Sequence, residues 1–469
     1  MISTNFDDLI KPMLEIWKNL NYRDVSVISK LNIIIKNKKL IHNFDSDIDN
    51  LILNAINYYD NLNSFVIFGK DKKNAYKYYL DFFSKDYSLY GIKYLNLNSS
   101  IILKIMYQLL FPRNIFKTKS DLDNYISDKY KFLSEYKDGK IDITILFLCK
   151  RDLHKKYPDN DINDDNFCIF IPNTKEEITH CVSVFFSQTT LNFLELQSFD
   201  YFLTKDSEKC KKMFLKYRNW LNNNIDPIYH SQFMCFSSVV LYLLGNRLMN
   251  DLDLYIHSLP KEVEEKIEDL KTNQYNYIEI KAKNTDSWPS HWNKWLDEWA
   301  QKCGAKYFEE ILGNPKYHFY FLGIKIISLD CDIVRRIQRN RPRAFADLIA
   351  LRKRYPIKIS IPKINDISYN YVKISDKTEK EIRELIEKGG ILNEENKEVC
   401  IENKTDINKF INTIIYALHT RYRMVFTKED IKKELNIYDI NNDIFNDRKV
   451  LNLTNNFKKS IKINIKKTK

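Results

Sequence analysis

Two aspartates one residue apart, in the run Asp251-Leu252-Asp253-Leu254, are the residues of this chain best suited to chemistry. Side chains on a strand alternate with a period of two. This spacing therefore puts both carboxylates on one side and Leu252 and Leu254 on the opposite, buried side. Two acids on one face repel, and a pair of divalent cations removes that repulsion. Hard oxygen ligands are what Mg2+ prefers, and phosphoryl chemistry is what such ions serve. Just upstream, Cys235-Phe236-Ser237-Ser238 leads into the apolar run Val239-Val240-Leu241-Tyr242-Leu243-Leu244, which reads as a short helix opened by a small-residue pair.

The elements that must position these residues are legible on both sides of them. A basic helix over Ser207–Asn224, with Met213, Phe214 and Leu221 as its apolar residues, leads toward the pair. Beyond the pair, Pro260–Leu270 reads as a charged surface helix. Asp286–Ala300 carries Trp288, Trp292, Trp295 and Trp299 at intervals of four, three and four, one stripe of a helix. Packing is the ordinary use of such a stripe, and a platform for stacking bases is the sharper one. Tyr317–Phe321 and Ile324–Leu329 form a hairpin pattern turning at Leu322-Gly323 and ending in Asp330-Cys331-Asp332. Arginines then concentrate in Arg335, Arg336, Arg339, Arg341 and Arg343, whose planar forks match phosphate oxygens. A solvated helix face is the plainer reading of the same residues.

The first part of the chain, to about residue 185, mixes helical and strand patterns without a catalytic cluster. Ser46–Leu62 has amphipathic helical spacing, and Ser64–Lys70 reads as a buried strand leading into a Lys-rich helix. A phosphate loop is excluded there, because one glycine cannot build the cradle. Lys140–Leu148, Phe167–Ile171, Val182–Phe186 and Leu191–Leu196 are further strand candidates, and the lone Asp142 reads as a solvated strand residue. Near the other end, Asp376–Glu387, Ile407–Tyr422 and Thr427–Leu435 are helical patterns, and Lys458–Lys469 is lysine-dense.

At 469 residues the chain exceeds one ordinary core, and 44% hydrophobic residues, 30 Tyr and 28 Phe mark it as folded. Its pattern predicts an α+β fold in three domains: an N-terminal α/β domain over 1–185, a catalytic domain over 186–355, and a mostly helical, basic domain over 356–469. The net charge of +12 favours a polyanionic partner. Eight cysteines occur without a Cys-x-x-Cys pair and away from the eight histidines, so neither a zinc site nor a disulfide framework is indicated. There is no signal-peptide pattern and no apolar run of spanning length, which predicts a soluble, intracellular protein without a membrane partner.

The small-residue pair, the short helix and the following Asp-x-Asp strand resemble the nucleotidyltransferase superfamily that includes DNA polymerase beta, CCA-adding enzymes and poly(A) polymerases. The run Cys-Phe-Ser-Ser-x-x-Leu-Tyr-Leu before Asp-Leu-Asp further resembles the poly(A) polymerase catalytic subunits of large DNA viruses, of poxvirus or giant-virus kind. The resemblance covers about residues 230–355. Ser237 departs from the family's usual glycine, which lets backbone amides approach a triphosphate closely.

The resemblance implies a central mixed sheet with flanking helices. The implied activity is template-independent addition of AMP from ATP to RNA 3′ ends, in mRNA polyadenylation, by two Mg2+ or Mn2+ ions. Asp251 and Asp253 would be metal ligands, and Ser237 and Ser238 would bind the nucleotide, with Ser238 bonding a phosphate oxygen at the helix N-terminus. A third carboxylate is expected from a neighbouring strand. Asp330, at the end of the second hairpin strand, is the choice, with Asp332 and Glu279 as rivals; in related polymerases the acid falls nearer mid-strand, at about Ile327 here. Arg335, Arg336, Arg341 and Arg343 would contact phosphates. A viral factory or virion would be the setting, and either a homodimer or a separate processivity subunit is compatible. The alternatives are nucleotidyl transfer to a protein or small molecule, and a catalytically silent RNA-binding protein of the same fold.

Overall fold

The computed structural model of the chain describes residues 62–69, 78–114, 118–130, 133, 139–150, 161–163, 167–185, 187–197, 202, 207–257, 263, 265–267, 278–283, 290–339, 341–355, 367–373, 391–393, 398–404 and 407–435. They form an α+β protein with three sheets. The expected helices over Ser46–Leu62 and Asp376–Glu387, most of that over Pro260–Leu270, and the Lys458–Lys469 tail lie outside the described residues.

The first sheet has the order β2-β3-β1-β5-β4 and is antiparallel throughout. Its strands are β1 (Leu62–Gly69), β2 (Tyr87–Asn98), β3 (Lys140–Lys150), β4 (Ile162–Asn163) and β5 (Phe167–Phe170). Phe65, Ile67, Leu146, Leu148 and Ile169 fill one side of it, with Tyr79, Phe83 and Tyr87 packed over them. Asp142 on β3 accepts from Asn96 Nδ2 at 2.7 Å on an exposed strand face, as its reading as a solvated residue requires.

The second sheet is mixed and has the order β8-β7-β6-β10-β9. Its strands are β6 (Phe233–Phe236), β7 (Leu252–His257), β8 (Ile278–Lys283), β9 (His318–Phe321) and β10 (Ile324–Ile327). The middle strand, β6, is apolar along its whole length and fully buried, as a strand covered on both faces must be. The β9–β10 hairpin turns at Leu322 and Gly323, both with positive φ, which is the backbone of a tight primed turn.

Helices lock the two sheets together. Of the expected strands Val182–Phe186 and Leu191–Leu196, residues 182–185 belong to the helix Lys175–Phe185 and 191–196 to the helix Gln188–Leu196, while Phe186 lies outside the described residues. Short apolar runs satisfy either period, and local capping decides here: Thr174 Oγ1 accepts from Glu177 N at 3.2 Å, and the Ser187 hydroxyl accepts from Thr190 N. From these helices, Phe193 stacks on Phe319 with ring centroids 3.7 Å apart, and Thr190 Oγ1 accepts from the backbone of Tyr320.

The hairpin turn is held by three buried side chains. Gln108 Oε1 accepts from Leu322 N at 3.0 Å, Arg218 Nε donates to Leu322 O at 2.8 Å, and His180 lies against Gly323. The chain accordingly divides into two compact units, 1–338 and 339–469, with both sheets described so far in the first. No boundary falls near 185, because these contacts tie the first sheet's helices to the second sheet. The boundary between the two units falls at 338/339.

In the second unit, Pro342–Arg354 packs on Ile407–Tyr422 through Phe345 and Phe410, and Lys428–Glu434 opens with a capping box from Thr427 to Asp430. A three-stranded antiparallel sheet completes it, in the order β11 (Ile367–Lys373), β13 (Glu398–Lys404), β12 (Ile391–Asn393). Among the described residues no helix is long and apolar enough to cross a membrane.

Candidate active site

The serine pair, the short helix after it and the aspartate pair lie at the second sheet. β6 delivers the chain to Ser237, the helix Ser238–Leu243 follows, and the chain returns antiparallel as β7, with Phe236 level with Asp253. The helix ends in a Schellman turn: Gly245 has φ 76°, Asn246 N donates to Leu241 O at 2.8 Å and Gly245 N to Tyr242 O at 2.9 Å. This reversal within a few residues is what brings the serine pair beside the aspartates.

β7 begins at Leu252 and is buried on both faces from Leu252 to Ile256, so burial does not separate an acid face from an apolar one. Leu252 and Leu254 are fully buried, Asp253 is 6% exposed, and Asp251, just ahead of the strand, is partly exposed. Further along the same face, Tyr255 stacks on Phe236 at 3.7 Å between ring centroids and meets Trp299 and Phe308. Trp299 is fully buried and donates from Nε1 to Cys331 O at 3.1 Å. Trp299 is therefore core, and Trp295 packs on it. Burial pushes the Cys235 thiol well up, and the charge of Asp253 adds to that shift, so this cysteine is inert.

Ser237 adopts φ 70° and ψ −115°, a conformation that suits glycine and strains other residues. The backbone here thus has the shape that a glycine would adopt freely. Ser238 is buried, and its hydroxyl lies 2.8 Å from Asp251 O and 3.3 Å from Asp251 Oδ1. A hydroxyl has one proton. In this geometry it is directed at Asp251 and fixes the Asp251 turn.

The third carboxylate is where the strand reading and the structure part. β10 ends at Ile327, and Ser328 caps a helix, Leu329–Arg339, through its hydroxyl to Cys331 N and its carbonyl to Asp332 N. Asp330 is thus an exposed residue in the first helical turn and does not end a strand. β10 is also separated from β7 by β6, so at about 4.8 Å per strand it lies about 10 Å from the aspartates. Among the described residues no group of three His, Cys, Asp or Glu side chains gathers to hold a metal ion. β8, by contrast, is adjacent and parallel to β7, and its register sets Glu279 level with Asp253.

Asp332 is fully buried and holds two arginines of its own helix. Its Oδ1 accepts from Arg335 Nε and Nη2 at 3.0 and 2.8 Å, and its Oδ2 accepts from Arg336 Nε at 2.7 Å. Burial pushes this carboxyl up, but Arg336 and Arg335 outweigh it and hold it below the usual range. Arg336 in turn donates from Nη2 to Ser237 O at 2.9 Å, and Arg335 lies over the Phe236 ring. These two arginines, expected on phosphates, are instead buried supports of the Ser237 turn. The i, i+3, i+4 spacing of Asp332, Arg335 and Arg336 was the available signal for that ion-pair cluster. Arg341 and Arg343 are exposed and belong to the second unit.

Comparison with protein-family models, with curated proteins and with solved structures finds no match for this chain. Function is therefore read from the site itself.

Proposed function

We propose that the chain is a template-independent nucleotidyltransferase that adds AMP from ATP to RNA 3′ ends. The observation that carries this reading is the register of three adjacent strands: β6 ends in a glycine-like turn at Ser237, antiparallel β7 brings Asp253 level with Phe236, and parallel β8 brings Glu279 level with Asp253. The topology supports a nucleotidyltransferase core in which the third acid comes from β8 and replaces Asp330 in that role.

Asp251 and Asp253, with Glu279, would hold Mg2+ or Mn2+, since carboxylate oxygens are the donors these hard cations take. When bound, such ions lower the pKa of an attacking 3′ hydroxyl and neutralise triphosphate charge. The protein's own part is positional. Ser238 holds the Asp251 turn, the Phe236–Tyr255 stack stiffens the strand pair, and Arg336 holds the Ser237 carbonyl. The net charge of +12 suits a polyanionic acceptor and a triphosphate donor.

The test is extension of a labelled oligo(A) primer with each NTP in turn, in Mg2+ or Mn2+. A ladder formed with ATP and abolished by Asp251→Asn or Asp253→Asn is the expected result. Extension that survives both substitutions overturns the site. Primer binding without extension in any condition overturns the activity.

A further inference from the structure

The charge of the chain is divided very unevenly between its two compact units. Residues 1–338 hold 45 Lys and Arg against 44 Asp and Glu, whereas residues 339–469 hold 29 against 18. The smaller unit therefore carries +11 of the net +12, so the electrostatic pull on a polyanion originates there.

Within that unit the helix Ile407–Tyr422 has two contrasting faces. Phe410, Ile411, Ile414, Ala417, Leu418 and Tyr422 are buried, and the helix packs on Pro342–Arg354. On the other side Asn412, Tyr416, His419 and Thr420 follow one another at helical spacing and are exposed, and Arg423, just past the helix end with φ 54°, is exposed as well. Tyr416 is 70% exposed, an unusual position for a large aromatic ring. From Ile407 to Lys428 the sequence contains no Asp or Glu, so no carboxylate within this segment opposes an anion on that face.

We propose that this face of the Ile407–Tyr422 helix binds single-stranded RNA, with a base stacked on Tyr416 and Arg423 on a neighbouring phosphate. An exposed ring on a segment whose only formal charges are cations (Lys409, Arg421, Arg423 and Lys428) suits unpaired bases, because stacking uses the π-face every base has and cations attract the backbone. A duplex buries its bases and leaves the ring nothing to stack on. A protein partner fits less well, since the stripe offers one aromatic ring among polar groups and no apolar core for an interface. The choice of RNA rests on the proposed polymerase activity, but the surface is tested without ATP.

The experiment uses the full chain and a fluorescein-labelled, unstructured RNA of about 15 nucleotides, followed by anisotropy over a range of salt. Wild type is expected to bind, and Tyr416→Ala to weaken binding about fivefold or more, while Tyr416→Phe stays near wild type because the ring remains. Arg423→Gln is expected to make the salt dependence shallower by about one ion. The far-UV circular dichroism of each variant should match wild type, since the buried face is untouched. The proposal is overturned if the RNA is not bound, if Tyr416→Ala binds like wild type, or if a duplex of the same sequence competes equally. RNA binding that follows this pattern in a protein that extends no primer removes the polymerase activity and leaves the surface standing.

Discussion

Arg336 donates from Nη2 to the carbonyl oxygen of Ser237 at 2.9 Å, across 99 residues of sequence. Its guanidinium is simultaneously held by Asp332. One buried carboxylate therefore sets the turn that opens the helix beside the aspartate pair. A non-glycine residue at φ 70° persists because its carbonyl is held in this way.

Replacing Ser237 by glycine relieves that backbone strain. Ser237→Gly is expected to raise stability by about 1 kcal/mol, and Ser237→Val to lower it by more, because a β-branched residue tolerates positive φ least. Urea denaturation of the three proteins measures the difference, and equal midpoints would contradict the strain argument.

Removing the carboxylate at 332 leaves two buried guanidinium groups without their shared partner. Asp332→Ala is expected to cost about 3–5 kcal/mol. Its folded-state pKa lies below the ordinary value, so the stability it contributes is present above that value and is lost as pH falls through the depressed one. Chemical denaturation at neutral and strongly acid pH, compared with wild type, should show the gap between the two proteins closing in acid.

His180 provides a second, milder acid sensitivity. It is fully buried, its Nδ1 lies 2.6 Å from Gln108 O and its Nε2 lies 3.3 Å from Arg218 Nη2. With a carbonyl on one side and a cation on the other, the neutral ring donates from Nδ1 and accepts at Nε2. Burial lowers its pKa from 6.5 to about 4. The unfolded chain therefore binds a proton first. Stability is complete above about pH 6.5 and falls as pH drops toward 4, by about 2 kcal/mol between pH 7.5 and 5. His180→Gln should flatten that part of the pH profile, and an unchanged slope would show that other groups carry the acid sensitivity.

The two rivals for the third carboxylate separate by substitution. Glu279→Gln is expected to reduce primer extension roughly a hundredfold or more, as loss of a metal ligand does, while Asp330→Asn stays near wild type. The reverse result would return the third ligand to the helix after β10.

The core role of Trp299 can be tested by two variants. Trp299→Ala should lose about 3–5 kcal/mol of stability, since the ring is wholly buried among Tyr255, Phe308 and Trp295. Trp299→Phe should fold less stably while its affinity for single-stranded RNA is unchanged.

Local pattern was enough to find the Asp-x-Asp strand, the short helix before it, the hairpin at Leu322-Gly323 and the long helices, because each depends on side-chain period, turn residues and caps close in sequence. It misread residues 182–185 and 191–196, where a short apolar run fits a strand or a buried helix equally. It also placed Asp330 on a strand, because nothing local marks that β10 stops at Ile327 and Ser328 starts a helix. Which strand lies beside β7, and therefore which acid stands level with Asp253, depends on sheet order, and sheet order is a property of long-range pairing. The use of Arg335 and Arg336 was decided in the same way. An arginine fork serves a phosphate or a buried aspartate with the same geometry, and only the burial of Asp332 and the approach of the Ser237 carbonyl determine which.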